Sequence, residues 1–289
     1  MSEESNSALP SLSPAPDVPP PFPEPVSKLR WAIHLAIMAA LPLVAGFGGL
    51  ATHRRGPAFT HSVQGLLTVC VYELLFFGIP FCFAWLASRA TTDDLLLRWR
   101  PGWWVVPLGA VYSVAIRMAA GIVVGIAIVV IALVNKTSPA EMQNFALEHR
   151  PQVEKLVDVH ALSQDPVYFW LNVILVSLVV GGLREELWRS SFLAGLRALW
   201  PRAFGSTNGG LAAAGIAALF FGAAHWPQGI LAAGLITIVG FLLGAAMVLH
   251  RSVWPSVVAH GLFDAASMAA LPWVMQYLQK LQHLQHATG

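Results

Sequence analysis

The chain has 289 residues, 56% of them hydrophobic and only 11% charged, where an ordinary soluble domain carries roughly a quarter charged residues. That balance excludes a soluble globular protein and leaves a polytopic membrane protein. A formal net charge of +2 with no basic block gives nucleic acid nothing to bind, so no nucleic-acid partner is expected.

Residues 1–27 hold eight of the chain's twenty prolines together with Glu3, Glu4, Asp17 and Glu24. Such a stretch cannot bury a core and reads as a disordered, partly polyproline-like tail. It lacks the basic start and apolar core of a secretory signal, so the first membrane helix is expected to act as its own insertion signal. Residues 28–134 hold the N-terminal membrane helices. Residues 31–51, behind Lys28 and Arg30, form the first expected span, since about 20 apolar residues cross a hydrocarbon core. A short loop at 53–57 follows. The second span covers 63–88 and is interrupted by Glu73 and Pro80. Its two cysteines, Cys70 and Cys82, read as core thiols; about 18 Å apart on one helix, they cannot form a disulfide. Residues 89–102 are a mixed-charge loop, and Trp103 and Trp104 read as an interfacial anchor. The third span, 105–134, carries Arg117 near its middle. Residues 135–166 are the one sizeable polar connection, and Met142, Phe145, Leu147, Val153, Leu156 and Val157 suit short helices lying at the interface.

Residues 167–271 form the C-terminal membrane core. The fourth apolar run continues as helix from 167 to about 200, roughly 50 Å long, so it must tilt, kink or protrude. Gly181-Gly182 is the expected kink. After a loop at 205–210 come spans at 211–225, 229–249 and 253–271, then an amphipathic tail at 272–289. The fold class is therefore all-α: a polytopic membrane bundle of about seven or eight transmembrane helices plus interfacial helices. No internal repeat is visible. By alternation, the side of the N-terminus collects eight basic loop residues against six, which favours a cytoplasmic N-terminus.

The run from Gly181 to Phe192 breaks the apolar pattern with Arg184, Glu185, Glu186 and Arg189. Charge at membrane depth is costly and marks a polar cavity with a task. The competing reading, snorkelling flanks in the headgroup region, loses ground to helix rise. Both glutamates lie about 20 Å back from the helix end near Trp200. His225 lies about as far from the start of the next span, and His260 about 12 Å in from the same side. Glu185 and Arg189, Phe221 and His225, and His260 and Asp264 are each four apart and share a helix face. The first of these pairs suggests an ion pair. A single membrane histidine is more often an interhelical hydrogen bonder than a catalyst. Five ionisable groups at compatible depth on three helices fit such a role poorly. Arg117 and Glu73 read equally well as structural partners or cavity liners.

These residues resemble the CAAX-prenyl-protease and bacteriocin-processing family of intramembrane endopeptidases. The family's pattern is Glu-Glu-x-x-x-Arg, then Phe-x-x-x-His, then His-x-x-x-Asn/Asp on successive helices. Glu185-Glu186, Phe221 with His225, and His260 with Asp264 match it, and Trp254-Pro255-Ser256 is similar to the family's lead-in. One departure stands out: Ser190 occupies the family's arginine position and Arg189 comes one residue early, about 100° around the helix. The resemblance implies hydrolysis of a peptide bond in a membrane-associated protein or peptide, lipidated or not. Glu185 would activate water, with His225 orienting it and Glu186 in support or exchanging roles. His260 would stabilise the oxyanion while Asp264 holds its ring; an ionised Asp only accepts, so it acts through His260 or is protonated. Arg184, Arg189 and Phe221 would support the site or the substrate. A divalent metal such as zinc on Glu185, His225 and His260 is a candidate cofactor, though no His-Glu-x-x-His run occurs and the reading leans to a metal-free glutamate mechanism. The expected location is a bacterial inner membrane. The alternatives are an inactive scaffold or immunity protein of the same fold, and an ion-coupled transporter, against which the absence of repeats counts.

Overall fold

The computed structural model describes residues 27–51, 62–138, 141, 142, 144 and 157–288. The proline-rich tail before residue 27, the loop at 53–57, and Phe145, Leu147, Val153 and Leu156 lie outside the described residues. Among the described residues the chain is helical and contains no strand. In chain order the helices are α1 (Lys28–Ala51), α2 (Val63–Ser88), α3 (Val105–Asn135), α4 (Val159–Gln164), α5 (Pro166–Leu199), α6 (Pro201–Phe204), α7 (Thr207–Ala224), α8 (Ile230–His250) and α9 (Trp254–Thr288). Six stretches are long and apolar enough to cross a membrane: α2, α3 with the 3-10 turn before it, α5, α7, α8 and α9. They correspond to the second through seventh expected spans. The first lies in α1, which packs on α2 and α5.

Local chemistry sets the helix ends. Ser62 caps α2 by accepting from the Gly65 N–H at 3.1 Å, and Arg89, Lys136 and Arg251 close α2, α3 and α8 in the left-handed conformation. Ser206 caps α7 by accepting from the Gly209 N–H at 3.1 Å, so most of the expected loop at 205–210 is already helix. The last expected span and the amphipathic tail at 272–289 form one continuous helix. Proline lacks the N–H that would bond to the carbonyl four residues back but keeps a helical φ, and α9 runs through Pro272. Trp103 and Trp104 stack at 3.9 Å between centroids and are exposed, as an interfacial anchor requires. Cys70 is buried but Cys82, expected in the core, is exposed on the outer face of α2. In the polar connection, Asp158 caps α4 and Val157 and Leu162 are buried against the bundle.

α1 and α2 are tied to α5 by polar contacts inside an apolar cluster. The His34 ring bridges the Ala84 carbonyl at 2.9 Å and the Ser191 carbonyl at 3.0 Å, and the Trp188 indole N–H donates to the Met38 carbonyl at 2.8 Å. Trp31, Met38, Phe81, Phe192, Leu193 and Phe221 fill the space around them.

α5 is the organising helix, and its middle is not α-helical. Asn172–Arg184 is a π-helix, in which bonds run five residues instead of four. The Glu185 N–H reaches back to the carbonyls of Gly181 and Gly182, where the α-helix resumes. Long π runs are rare; here the widened turns accompany a close crossing with α9. A β-carbon on Gly182 would lie 2.8 Å from the Val257 carbonyl oxygen and 3.1 Å from the Gly261 Cα. One on Gly181 would collide with the Asp264 carboxylate. The kink expected at the glycine pair is thus a change of helix type that lets two backbones meet. Gly182→Ala is expected to force them apart at a cost of about 1–3 kcal/mol, read as a lower Tm in detergent. An unchanged Tm would show that the crossing tolerates a methyl group.

Candidate active site

Where α5 and α9 touch, three carboxylates and a histidine come together. Glu186 and Arg189, both 0% exposed, form an ion pair through Glu186 Oε1 and Arg189 Nη1. The same Oε1 accepts from His260 Nδ1 at 2.7 Å. A carboxylate only accepts, so Nδ1 carries the proton and His260 Nε2 faces the rest of the cluster. From Nε2 it is 3.7 Å to Glu185 Oε2 and 3.5 Å to Asp264 Oδ2. Both separations exceed a direct hydrogen bond. Glu185 Oε1 is held by Arg184 Nη2 at 2.8 Å, and Arg184 Nη1 bonds to Glu73 of α2. Glu185 and Asp264 keep part of their side chains accessible, 17% and 31%, whereas Glu186 has none, so the cluster has a buried base and an open side.

Phe221 of α7 sits against this base. Arg189 lies over its ring at 4.7 Å from the centroid, and the His260 ring meets it edge-on at 6.4 Å. Gly240 and Gly244 of α8 make room for Arg189: a β-carbon at either would lie 3.4 Å from the arginine side chain. His225 is the C-cap of α7. Its Nδ1–H donates to the Phe221 carbonyl at 2.8 Å, which fixes the ring and leaves Nε2 outside that bond. The ring is half-buried and within electrostatic reach of Glu185, but makes no hydrogen bond to a carboxylate.

Glu185, Glu186, His260 and Asp264 therefore converge as expected, with Arg184, Arg189 and Phe221 around them and His225 at the rim. Two expected partnerships change. Arg189 pairs with Glu186, three residues back, instead of Glu185, because that face of α5 turns into the space left by the α8 glycines. The His260 ring is oriented by Glu186, not Asp264, since Glu186 stands opposite Nδ1 where the helices cross. The early arginine also finds an account. Ser190 points to the Leu95 carbonyl, away from the cluster, so a guanidinium there would miss Glu186 and one at 189 reaches it. Sequence reasoning left two residues undecided, and both have partners. Glu73 binds Arg184, and Arg117 donates to the Phe263 carbonyl at 2.6 Å while lying over the Phe263 ring. The signal for Glu73 was a lone carboxylate in an apolar helix, which names a need for a partner but not which one.

The residues named as candidate ligands, Glu185, His225 and His260, each keep one polar atom outside the bonds described above, but among the described residues no three His, Cys, Asp or Glu side chains are disposed to hold a metal ion.

No curated protein and no solved structure matches this chain. A family model does: that of Rce1-like, Type II CAAX prenyl endopeptidase Rce1-like, over residues 166–266. The match starts at the first residue of α5, ends two residues past Asp264, and takes in Glu185, Glu186, Phe221, His225 and His260, while Glu73 and Arg117 fall outside it. With six helices fit to cross a membrane, this is an integral membrane protein, and the segment carrying its three motifs is similar to the Rce1-like family of type II CAAX prenyl endopeptidases.

Proposed function

We propose that the protein is an intramembrane endopeptidase that hydrolyses a peptide bond near the membrane-embedded part of a protein or peptide, using water activated by Glu185. One observation carries the reading. Glu185 Oε2 and Asp264 Oδ2 both face His260 Nε2, at 3.7 and 3.5 Å, on the open side of the cluster. Three polar atoms that face one another without a direct hydrogen bond leave their donor and acceptor capacity for a water or substrate oxygen held beside them on the open side.

In the reaction, Glu185 takes a proton from the water as its oxygen bonds to the carbonyl carbon. The carbonyl π electrons move onto oxygen, where His260, protonated at both nitrogens and held by Glu186, donates from Nε2. When the intermediate collapses the carbon–nitrogen bond breaks, and Glu185 returns its proton to the leaving amine. His225, its ring fixed by the Nδ1 bond to the Phe221 carbonyl, would turn Nε2 to the second hydrogen of the water and set its direction. Glu186, Arg184 and Asp264 position these groups.

Substrates of the CAAX type, lipidated or not, or leader peptides would reach Glu185 and Asp264 from the bilayer. The proposed setting is a bacterial inner membrane with a cytoplasmic N-terminus. Whether a divalent metal takes part is decided by assaying cleavage after chelation and zinc repletion. The inactive-scaffold alternative rested on the displaced Arg189; with its guanidinium on Glu186, that ground weakens.

The test is cleavage of CAAX-box peptides, prenylated and unprenylated, by purified protein in detergent, read by mass spectrometry. His260→Ala is expected to lower kcat by about 10²–10³, the usual loss when one oxyanion donor goes. Full activity in His260→Ala removes the assignment, and counterion-dependent uptake into liposomes favours transport instead.

A further inference from the structure

Glu73 lies on α2, far outside the segment that resembles known endopeptidases. It is the lone carboxylate of a 26-residue apolar helix, and an ionised group at such depth persists only with a partner or a task. Its partner is Arg184, bonded through Nη1 to Glu73 Oε2, while Nη2 of the same guanidinium holds Glu185 Oε1 at 2.8 Å. A guanidinium is a rigid planar fork. With one prong fixed on α2, the other has a defined direction, and the free oxygen of Glu185 then faces His260 Nε2. Without Glu73, Arg184 keeps only its sequence neighbour, and the two can swing together toward the open side.

From this geometry we infer that Glu73 is a positioning residue of the active site, acting through Arg184 to orient the Glu185 carboxylate. The inference rests on the endopeptidase reading, since it assumes that Glu185 is the base. It also means that the reactive centre is incomplete within residues 166–266 and draws its last charged member from the N-terminal helices.

A double-mutant cycle tests it, on full-length protein with a prenylated CAAX-box peptide: wild type, Glu73→Gln, Glu73→Asp, Arg184→Gln, and Glu73→Gln combined with Arg184→Gln. Glu73→Gln is expected to lower kcat by about tenfold or more at nearly unchanged KM, because a misdirected base loses transition-state geometry and not substrate binding. Glu73→Asp restores part of the rate. In the Arg184→Gln background the Glu73 change adds nothing, since residues acting as one unit are non-additive. Where Glu73→Gln alone leaves Arg184 unpaired and folds poorly, Glu73→Asp carries the test, since it keeps both charges and shifts only the carboxylate: a kcat equal to that of the wild type would overturn the role. Rate losses that multiply, a KM rise at constant kcat, or an active wild type with Glu73→Gln equally fast would each overturn the positioning role alone. A wild type that leaves every peptide intact overturns the endopeptidase reading, and the positioning role falls with it.

Discussion

Glu185→Gln should abolish peptide cleavage while leaving the bundle folded. The amide cannot take a proton from water, and loss of a general base removes about 10²–10⁴ in rate. Stability should change little. Arg184 keeps Glu73, the glutamine oxygen still accepts from the other prong, and the side chain is partly accessible. The neighbouring exchange behaves differently. Glu186→Gln leaves the fully buried Arg189 without a counter-charge, so folding is affected first and activity through it. Measuring kcat and Tm for both variants separates the two adjacent carboxylates: one carries chemistry, the other holds the site together. A Glu185→Gln protein that still cleaves at more than about a hundredth of the wild-type rate would remove Glu185 from the base role.

Much of the bundle was readable because membrane crossing is a coarse demand on composition. Apolar length alone places the second through fourth spans within a residue or two of α2, α3 and α5. The ends were less legible. α7 starts on Thr207 because Ser206 caps it, a polar signal that reads equally as loop, and the last span and the tail share one helix, α9. The convergence of Glu185, Glu186, His260 and Asp264 followed from counting helix rise, which survives small errors of register. Partnerships did not. Counting by fours predicted Glu185 with Arg189 and His260 with Asp264, but both depend on how α5 faces α9 and α8. The π-helix through Arg184 changes the angle per residue just before the glutamates, so an α-helical wheel drawn from Tyr168 onward points them wrongly. Two glycines announced a weak point in α5 without saying which way it would give.

Glu73 shows the other limit. A carboxylate in the second span requires a partner, yet Arg184 lies more than a hundred residues later on a helix whose neighbours the sequence does not list. Long-range pairing of this kind is decided by packing. His34, Trp188 and Met38 set it by drawing α1 and α2 onto α5.

The same reasoning makes Arg189 the most demanding residue in the fold. Arg189→Met should cost about 3–5 kcal/mol, because breaking a buried pair strands a charge that water cannot reach. It leaves Glu186 with His260 as sole polar partner, removes the guanidinium from the Phe221 ring, and lets Phe221 lean toward the space between Gly240 and Gly244. Two buried nitrogens of Arg189, Nε and Nη2, already lack partners, so the pair is held at a desolvation cost. Removing both charges should therefore recover most of the loss. In Glu186→Gln combined with Arg189→Met neither position of the buried pair carries a charge, methionine fills similar volume, and the glutamine oxygen can still accept from His260 Nδ1. Thermal unfolding of the three variants in one detergent decides the matter. A double variant no more stable than Arg189→Met would mean that the arginine matters for its shape against Phe221, not for the charge it neutralises. Recovery of folding with the rate still depressed would show that charge at Glu186 serves His260 in the reaction as well as the packing of α5.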